Sequence, residues 1–214
     1  MSNTLPAGTT IRNATIDDLD QIEAVERSWP ESGRATRDKF VARLERFPRG
    51  FFVAESSGRI YATITSCPIH YDSADLDGLS TWSKVTRDGY LQAKHDLAAC
   101  NAIYIVSGVI DKSHRGSGIF APMVEREVAL AQELRLKYVV AGAFIPGYAD
   151  YCREHGEISA PDYAFLIQGR RLVDPLLQMY AGIGFSVPDR RHIVSDYFPD
   201  ADSQNYAALV VRRL

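Results

Sequence analysis

Apolar positions along the chain fall into runs whose spacing alternates between that of a strand and that of a helix. Residues 9–14 read as a short strand, and Thr15 then caps a helix with Asp17 and Asp18 in its first turn, where carboxylates suit the positive end of the dipole. Leu19, Ile22 and Val25 continue at helical spacing until Trp29-Pro30 ends the element. A second helix is predicted from about Thr36 to Phe47, with Phe40, Val41 and Leu44 turned inward. Residues 51–54 and 60–65 flank Ser56-Ser57-Gly58-Arg59, the pattern of a hairpin with a short turn. Residues 102–110 form a β-branched and aromatic run, after which Phe120, Val124, Val128, Ala131 and Leu134 recur at helical spacing. A buried strand over 138–144 follows, so strand, helix and strand imply a right-handed parallel crossover. A helix from Asp174-Pro175 through Tyr180, ending at Gly182-Ile183-Gly184-Phe185, and strands at about 191–195 and 206–212 close the chain.

Two stretches interrupt this alternation. Residues 68–100 are polar, with a loop over Asp72 to Gly78 and a short helix starting near Thr81 to Val85. Trp82, Tyr90 and His95 argue against disorder, and the stretch reads as a cover over a substrate cleft. The second insertion, about 145–173, carries Tyr148, Tyr151, His155, Tyr163 and Phe165.

Between the strand at 102–110 and the helix after it lies Arg115-Gly116-Ser117-Gly118. The first N–H groups of a helix lack intrahelical acceptors and carry the positive end of its dipole. Glycines allow positive φ and close approach of the backbone to a ligand, so a phosphate suits this place, with Arg115 adding charge at its edge. The competing reading is a plain strand-to-helix connection with a glycine turn. No Gly-Lys-Ser/Thr follows and three spaced glycines are absent, so the loop suits a pyrophosphate that is bound and not cleaved.

Ile110-Asp111-Lys112 followed by Arg115-Gly116-Ser117-Gly118-Ile119 resembles the acyl-CoA motif of the GNAT acyltransferase superfamily, Gln/Arg-x-x-Gly-x-Gly/Ala. Arg115 and Gly118 match it; Phe120 stands where the last Gly or Ala is usual, and Pro122 places the helix start near Ile119 to Ala121. The resemblance implies an α/β (α+β) fold: a mixed, mostly antiparallel sheet of about seven strands flanked by helices, its fourth and fifth strands parallel and splayed around the pantetheine arm of CoA. It implies one domain over 1–214, with 68–100 and 145–173 as insertions. Gly108, Val109, Ile110, Arg115, Gly116, Ser117, Gly118, Ile119 and Phe120 are then the CoA-binding candidates.

A narrower resemblance covers roughly residues 80–213. Ile145-Pro146-Gly147-Tyr148, Gly169-Arg170, Asp174-Pro175-Leu176-Leu177, Gly184-Phe185 and Tyr197-Phe198-Pro199-Asp200 are similar to GNAT domains found beside nitrilase-type hydrolases or in polyketide synthase loading modules. Loading-module members are associated with decarboxylating malonyl-CoA and passing acetyl to a carrier-protein thiol. A His often stands there where this chain has Tyr180; Tyr180-x-x-x-Gly184-Phe185 instead resembles ordinary GNAT N-acyltransferases, which argues against decarboxylation.

For amine attack on a thioester, Tyr180 is the candidate acid for the departing thiolate, the alternative being a core tyrosine with a satisfied hydroxyl. A backbone N–H near Gly108 and Val109 is the candidate donor to the carbonyl oxygen, the alternative being sheet packing or a bulge. Ser107, orienting a water, and His95 are candidates for the base, while Asp111 sits too close to the phosphate loop. Trp29 either packs at its helix end or lines the acceptor pocket, and Trp82 and Ala143 join it as candidate substrate contacts.

Composition narrows the partners. Twenty-four basic against 27 acidic residues leave a net charge of −3 and a pI near 6.0, with no footprint for nucleic acid. The polar start around Pro6 does not read as a signal peptide, and no apolar run approaches a membrane span. Cys67, Cys100 and Cys152 are odd in number and far apart, which reads as free thiols in a reducing, cytoplasmic compartment. His70, His114, His155 and His192 form no ligand spacing, so no metal is expected. Three readings follow: an acyltransferase moving an acyl group from acyl-CoA to the amine of a small metabolite; an enzyme using the phosphopantetheine of an acyl carrier protein, with Arg170 and Arg171 or the charged 145–173 segment as its contact; and an acyl-CoA sensor without turnover. Homodimerisation stays open.

Overall fold

The computed structural model describes residues 5–214; residues 1–4, part of the polar start discussed above, lie outside them. Strand β1 (Thr9–Asn13) runs into a 3-10 turn at Ile16–Asp18 and then helix α1 (Leu19–Glu26). Thr15 caps as predicted, but the first turn is 3-10 and the α-helix starts only at Leu19. Asp18 dictates this: its Oδ2 accepts from the Thr15 N–H at 2.8 Å and from the Thr15 hydroxyl at 2.9 Å, while Arg12 donates to both carboxylate oxygens at 2.7 and 2.8 Å. The Arg12 guanidinium holds the Asp18 carboxyl down at about 2.

Helix α2 (Arg37–Arg46), strands β2 (Phe51–Ser56) and β3 (Arg59–Ile69), the short α3 (Trp82–Thr86), β4 (Ala102–Ile110) and α4 (Phe120–Glu133) come next. Strands β1 to β4 form an antiparallel meander with pairs such as Ile11 with Ala54, Phe52 with Ile64, and Ile64 with Gly108. Ile22, Val25, Phe40, Phe51, Val53 and Ile60 make its core, against which Val41 and Leu44 are only partly buried. Helix α2 fully encloses Phe40, as expected, and also Arg43 one turn later. Arg43 and Arg46 bond the carbonyls of Gly89, Tyr90 and Leu91, pinning part of the first insertion to α2.

The rest comprises β5 (Tyr138–Phe144), α5 (Tyr148–His155), α6 (Ala160–Ala164), a ribbon of β6 (Ile167–Gln168) and β7 (Arg171–Leu172), α7 (Pro175–Ala181), β8 (Ile193–Val194) and β9 (Ala207–Arg213). The main sheet is seven-stranded and mixed, in the order β1-β2-β3-β4-β5-β9-β8, with β4 and β5 parallel. The chain divides into two compact units, one holding the residues up to His70 with Thr86–Val139 and Leu214, the other Tyr71–Val85 and Val140–Arg213.

In the second unit the insertion at 145–173 is built on aromatic packing. The Tyr163 ring lies 5.3 Å from that of Tyr148 and 5.4 Å from that of Tyr151, which gives this polar stretch a core of its own. Asp174 ties the insertion to α7. Its Oδ1 accepts from the N–H groups of Leu176 and Leu177 at 2.9 and 3.0 Å, and its Oδ2 from the Gly147 N–H and the Tyr163 hydroxyl, each at 3.2 Å. The strand predicted at about 191–195 shrinks to Ile193–Val194, because Asp189 caps a 3-10 turn at Arg190–His192 and bonds the buried His192 ring at 2.9 Å.

Candidate active site

The site candidates of the first unit are nearly continuous in sequence and are held by short-range geometry. Strand β4 ends at Ile110, and Asp111 caps the turn after it by accepting the Ser113 N–H at 2.9 Å. Ser28 tethers the turn from outside: its Oγ accepts the Lys112 N–H at 3.1 Å and its carbonyl accepts from Arg115 at 3.4 Å. The His114 ring stacks on Tyr61 at 4.5 Å, so it is less free than a purely solvated side chain. Gly116 and Gly118 have φ of +79° and +81°, and a Cβ on either would meet nothing within 4 Å. Conformation, not crowding, selects glycine here, and the space above both is open. Among the described residues, the N–H groups of Gly116, Gly118 and Ile119 donate to no protein acceptor. Gly116 and Gly118 are exposed, Ile119 is buried beneath them, and with the helix start at Phe120 and a nearby guanidinium the loop has the donors and charge that could hold an anionic group such as a diphosphate.

The departure at Phe120 has a structural counterpart. A Cβ added to Gly108 would lie 3.1 Å from Phe120 Cε2, so the bare backbone of β4 makes room for the ring. Pro122 falls in the first turn of α4, where no intrahelical N–H is lost. Val109 is buried in the core cluster, whereas Ser107 and Gly108 are half-buried. The Ser107 Oγ lies 2.8 Å from Thr65 Oγ1 and receives a hydrogen bond from the buried Arg43 at 3.2 Å. Neither Arg43 nor Thr65 stood out in the sequence; the available signal was a basic residue one turn after Phe40 on a face that otherwise turns inward.

The remaining candidates of this unit lie apart from that network. His95 packs edge-on against Phe47 at 5.6 Å and bonds the Pro68 backbone, and its buried Nε2 has no partner among the described residues. Burial pushes its pKa down, favouring the neutral ring. Trp29 is half-buried at the end of α1, its carbonyl accepting from Arg34 at 2.8 Å.

In the second unit, Tyr180 sits near the C-terminus of α7, buried, with its ring edge-on to Phe185 at 5.4 Å. Burial lifts the phenol well above its ordinary range, so it is a protonated donor at neutral pH. Trp82 is edge-on to Phe198 at 5.3 Å, and Phe198 also meets Phe144, the neighbour of the buried Ala143. A buried relay escaped the sequence reading: the Tyr71 hydroxyl lies 2.9 Å from His192 Nε2, with Asp189 on the other ring nitrogen. Among the described residues no group of His, Cys, Asp or Glu is arranged to hold a metal, and the three cysteines carry no disulfide. No helix there is long and apolar enough to cross a membrane.

A mixed seven-stranded sheet with parallel β4 and β5, and a β4 that feeds a glycine loop heading α4, define the GNAT fold, and this chain is a GNAT-fold protein. No protein-family model matches it. It is 30% identical over 202 residues to "Probable hydrolase YhcX" of Bacillus subtilis (strain 168), a match that takes in 94% of this chain and 37% of that protein. The chain therefore spans little more than a third of that relative's length. Among solved structures, the loading GNATL domain of CurA from Lyngbya majuscula has a TM-score of 0.80 at 22% identity, over 96% of this chain and 97% of that one. The GphF GNAT-like decarboxylase in complex with isobutyryl-CoA has a TM-score of 0.78 at 26% identity, over 95% and 98% of the two chains. The superfamily expected from Arg115 to Ile119 is the one these structures share.

Proposed function

We propose that the protein is an acyltransferase that takes an acyl group from a CoA thioester and delivers it to the amine of a small metabolite by direct attack in a ternary complex. The observation that carries this reading is the loop of Gly116 and Gly118, both at positive φ, with open space above them and unengaged N–H groups. A diphosphate there would be bound by backbone donors and Arg115, with nothing to cleave it. The reactive end of the coenzyme needs a donor for the carbonyl oxygen as it gains charge, assigned to a backbone N–H of β4 around Gly108 and Val109, and an acid for the thiolate. Tyr180 is assigned as that acid: its phenol keeps its proton at neutral pH and gives it to the sulfur as the C–S bond breaks. The proton lost by the amine leaves through water, and no side chain is assigned as its acceptor.

A second reading is favoured by one observation, the 26% identity with the GphF GNAT-like decarboxylase along almost the whole chain. On it, the donor or acceptor is a carrier-protein phosphopantetheine, and the exposed ribbon with Ile167, Arg170 and Arg171 offers an apolar and basic contact to an acidic carrier. Thiol release separates the readings. The protein is given acetyl-CoA or malonyl-CoA alone, with a panel of small amines, and with an acyl carrier protein. Release with amines supports the first reading and release only with carrier the second, while carbon dioxide from malonyl-CoA marks decarboxylation. Binding without release identifies a sensor, and failure to bind CoA removes the first reading and the sensor, leaving only transfer from a carrier-bound thioester.

A further inference from the structure

Arg43 is 1% exposed, and a buried guanidinium costs several kcal/mol unless it is paired. Among the described residues no carboxylate lies within ion-pair distance of it. Its acceptors are neutral: the Gly89 carbonyl at 2.9 Å from Nε, and Thr65 Oγ1 and Ser107 Oγ at 3.3 and 3.2 Å from one terminal nitrogen. The Phe40 ring lies 5.4 Å from the guanidinium carbon. Glu26 acts on Arg43 only through space, because its carboxylate accepts the Ala35 N–H at 2.7 Å. Burial lowers the Arg43 pKa to about 10, which still leaves it charged at neutral pH. A fixed positive charge therefore stands behind the middle of β4.

Counting protons gives this charge a direction. Arginine only donates, so both hydroxyl oxygens accept from it. The 2.8 Å contact between Thr65 and Ser107 uses one of the two hydroxyl protons. Thr65 is 2% exposed, and among the described residues its hydroxyl oxygen is bonded to Arg43 and Ser107 alone, so Ser107 is the acceptor its proton reaches there. Ser107 thus accepts twice, and its own hydrogen has no acceptor among the described residues. Ser107 is only half-buried, so that hydrogen is left available to a ligand. Beside this pair the β3–β4 register slips, passing from Thr65–Ser107 to Ser66–Ile105, an irregularity of the kind that re-aims side chains beside functional sites.

Resting on the acyl-CoA reading above, we propose that Ser107 donates a hydrogen bond to the carbonyl oxygen of the bound thioester, and that Arg43 is the positioning residue that fixes this polarity. As the nucleophile adds to the carbonyl carbon, the π pair moves onto oxygen and is stabilised by the Ser107 hydrogen bond and the charge behind it. The pair returns as the C–S bond breaks, and Ser107 keeps its proton throughout. A hydroxyl held as a donor beside a guanidinium is a poor base, so Ser107 serves the carbonyl and not the attacking amine.

The test uses the whole chain, acetyl-CoA labelled with carbon-13 at the carbonyl, calorimetry for affinity, infrared spectroscopy of the bound carbonyl, and thiol release for turnover. Ser107→Ala is expected to lower kcat about 10²-fold, to leave acetyl-CoA affinity within about threefold, and to move the labelled carbonyl stretch to higher frequency. Ser107→Thr restores most of both signals. Arg43→Met lowers kcat about tenfold in the wild-type background and has no further effect on top of Ser107→Ala, the signature of one residue acting through another. Should Arg43→Met not fold, the infrared shift and the Ser107→Thr rescue decide alone. An unchanged carbonyl stretch and unchanged turnover in Ser107→Ala, with acetyl-CoA still bound, overturn the inference and leave the acyl-CoA reading standing. No binding of acetyl-CoA by the wild-type protein overturns both.

Discussion

Glu127→Gln should flatten the pH dependence of folding stability between about pH 5 and pH 8. Glu127 is fully buried on α4, its Oε2 accepts from Ser66 Oγ at 2.6 Å, and its Oε1 has no partner among the described residues. Desolvation outweighs the Ser66 contact and raises the carboxyl from 4.5 to about 8, so the folded protein holds this side chain as a neutral acid at pH 7. The unfolded chain loses the same proton near its ordinary pKa. Between the two values the folded state binds one proton more than the unfolded state, so stability is greatest at the acid end and falls as pH rises. The slope is about 1.4 kcal/mol per pH unit, on the order of 5 kcal/mol from 4.5 to about 8. The amide of the variant has nearly the same shape as the acid and no proton to lose. Urea titrations of wild type and Glu127→Gln at several pH values measure the difference, which isolates this residue from the other titrating groups. The variant should gain on the wild type steadily as pH rises and level off above about pH 8. Parallel curves for the two proteins would refute the reasoning.

Other substitutions test separate links. Tyr180→Phe should cut turnover about 10²-fold with CoA affinity unchanged, measured by thiol release and calorimetry; full turnover removes Tyr180 from the chemistry. Gly118→Ala places a Cβ in open space at φ +81°, so it should cost only about 1 kcal/mol of stability while weakening CoA binding about tenfold. Affinity equal to wild type would remove this glycine from the diphosphate site. Asp174→Ala strips an N-cap and leaves the Tyr163 hydroxyl and the Gly147 N–H without their acceptor, and should cost about 2–4 kcal/mol in urea unfolding. Asp174→Asn, which keeps an oxygen acceptor, should lose less.

The elements with a clean period were legible from the residues alone. Residues 102–110 form a β-branched and aromatic run, and Phe120 to Leu134 keeps its helical spacing, so β4, the loop and α4 were placed to within a residue or two. Thr15 was read as a cap, yet the acceptor capacity of Asp18 holds the first turn in 3-10 form, a competition that spacing alone does not express. The insertion at 145–173 was read only as an aromatic-bearing interruption, because the packing of Tyr163 against Tyr148 and Tyr151 is tertiary and accompanies the bonds by which Asp174 holds Gly147 and Tyr163. The glycine loop was legible because positive φ is a property of single residues. The polar groups around Ser107 were not, since Arg43 and Thr65 lie 64 and 42 residues away along the chain. A buried charge on an inward helix face was the only trace they left.

The central claim is that Gly116 to Phe120 cradle the diphosphate of an acyl-CoA, and a crystal structure of the protein with acetyl-CoA tests it most directly. The account predicts diphosphate oxygens within hydrogen-bond distance of the N–H groups of Gly116, Gly118 and Ile119, with Arg115 at their edge. A diphosphate bound anywhere else on the chain would contradict it.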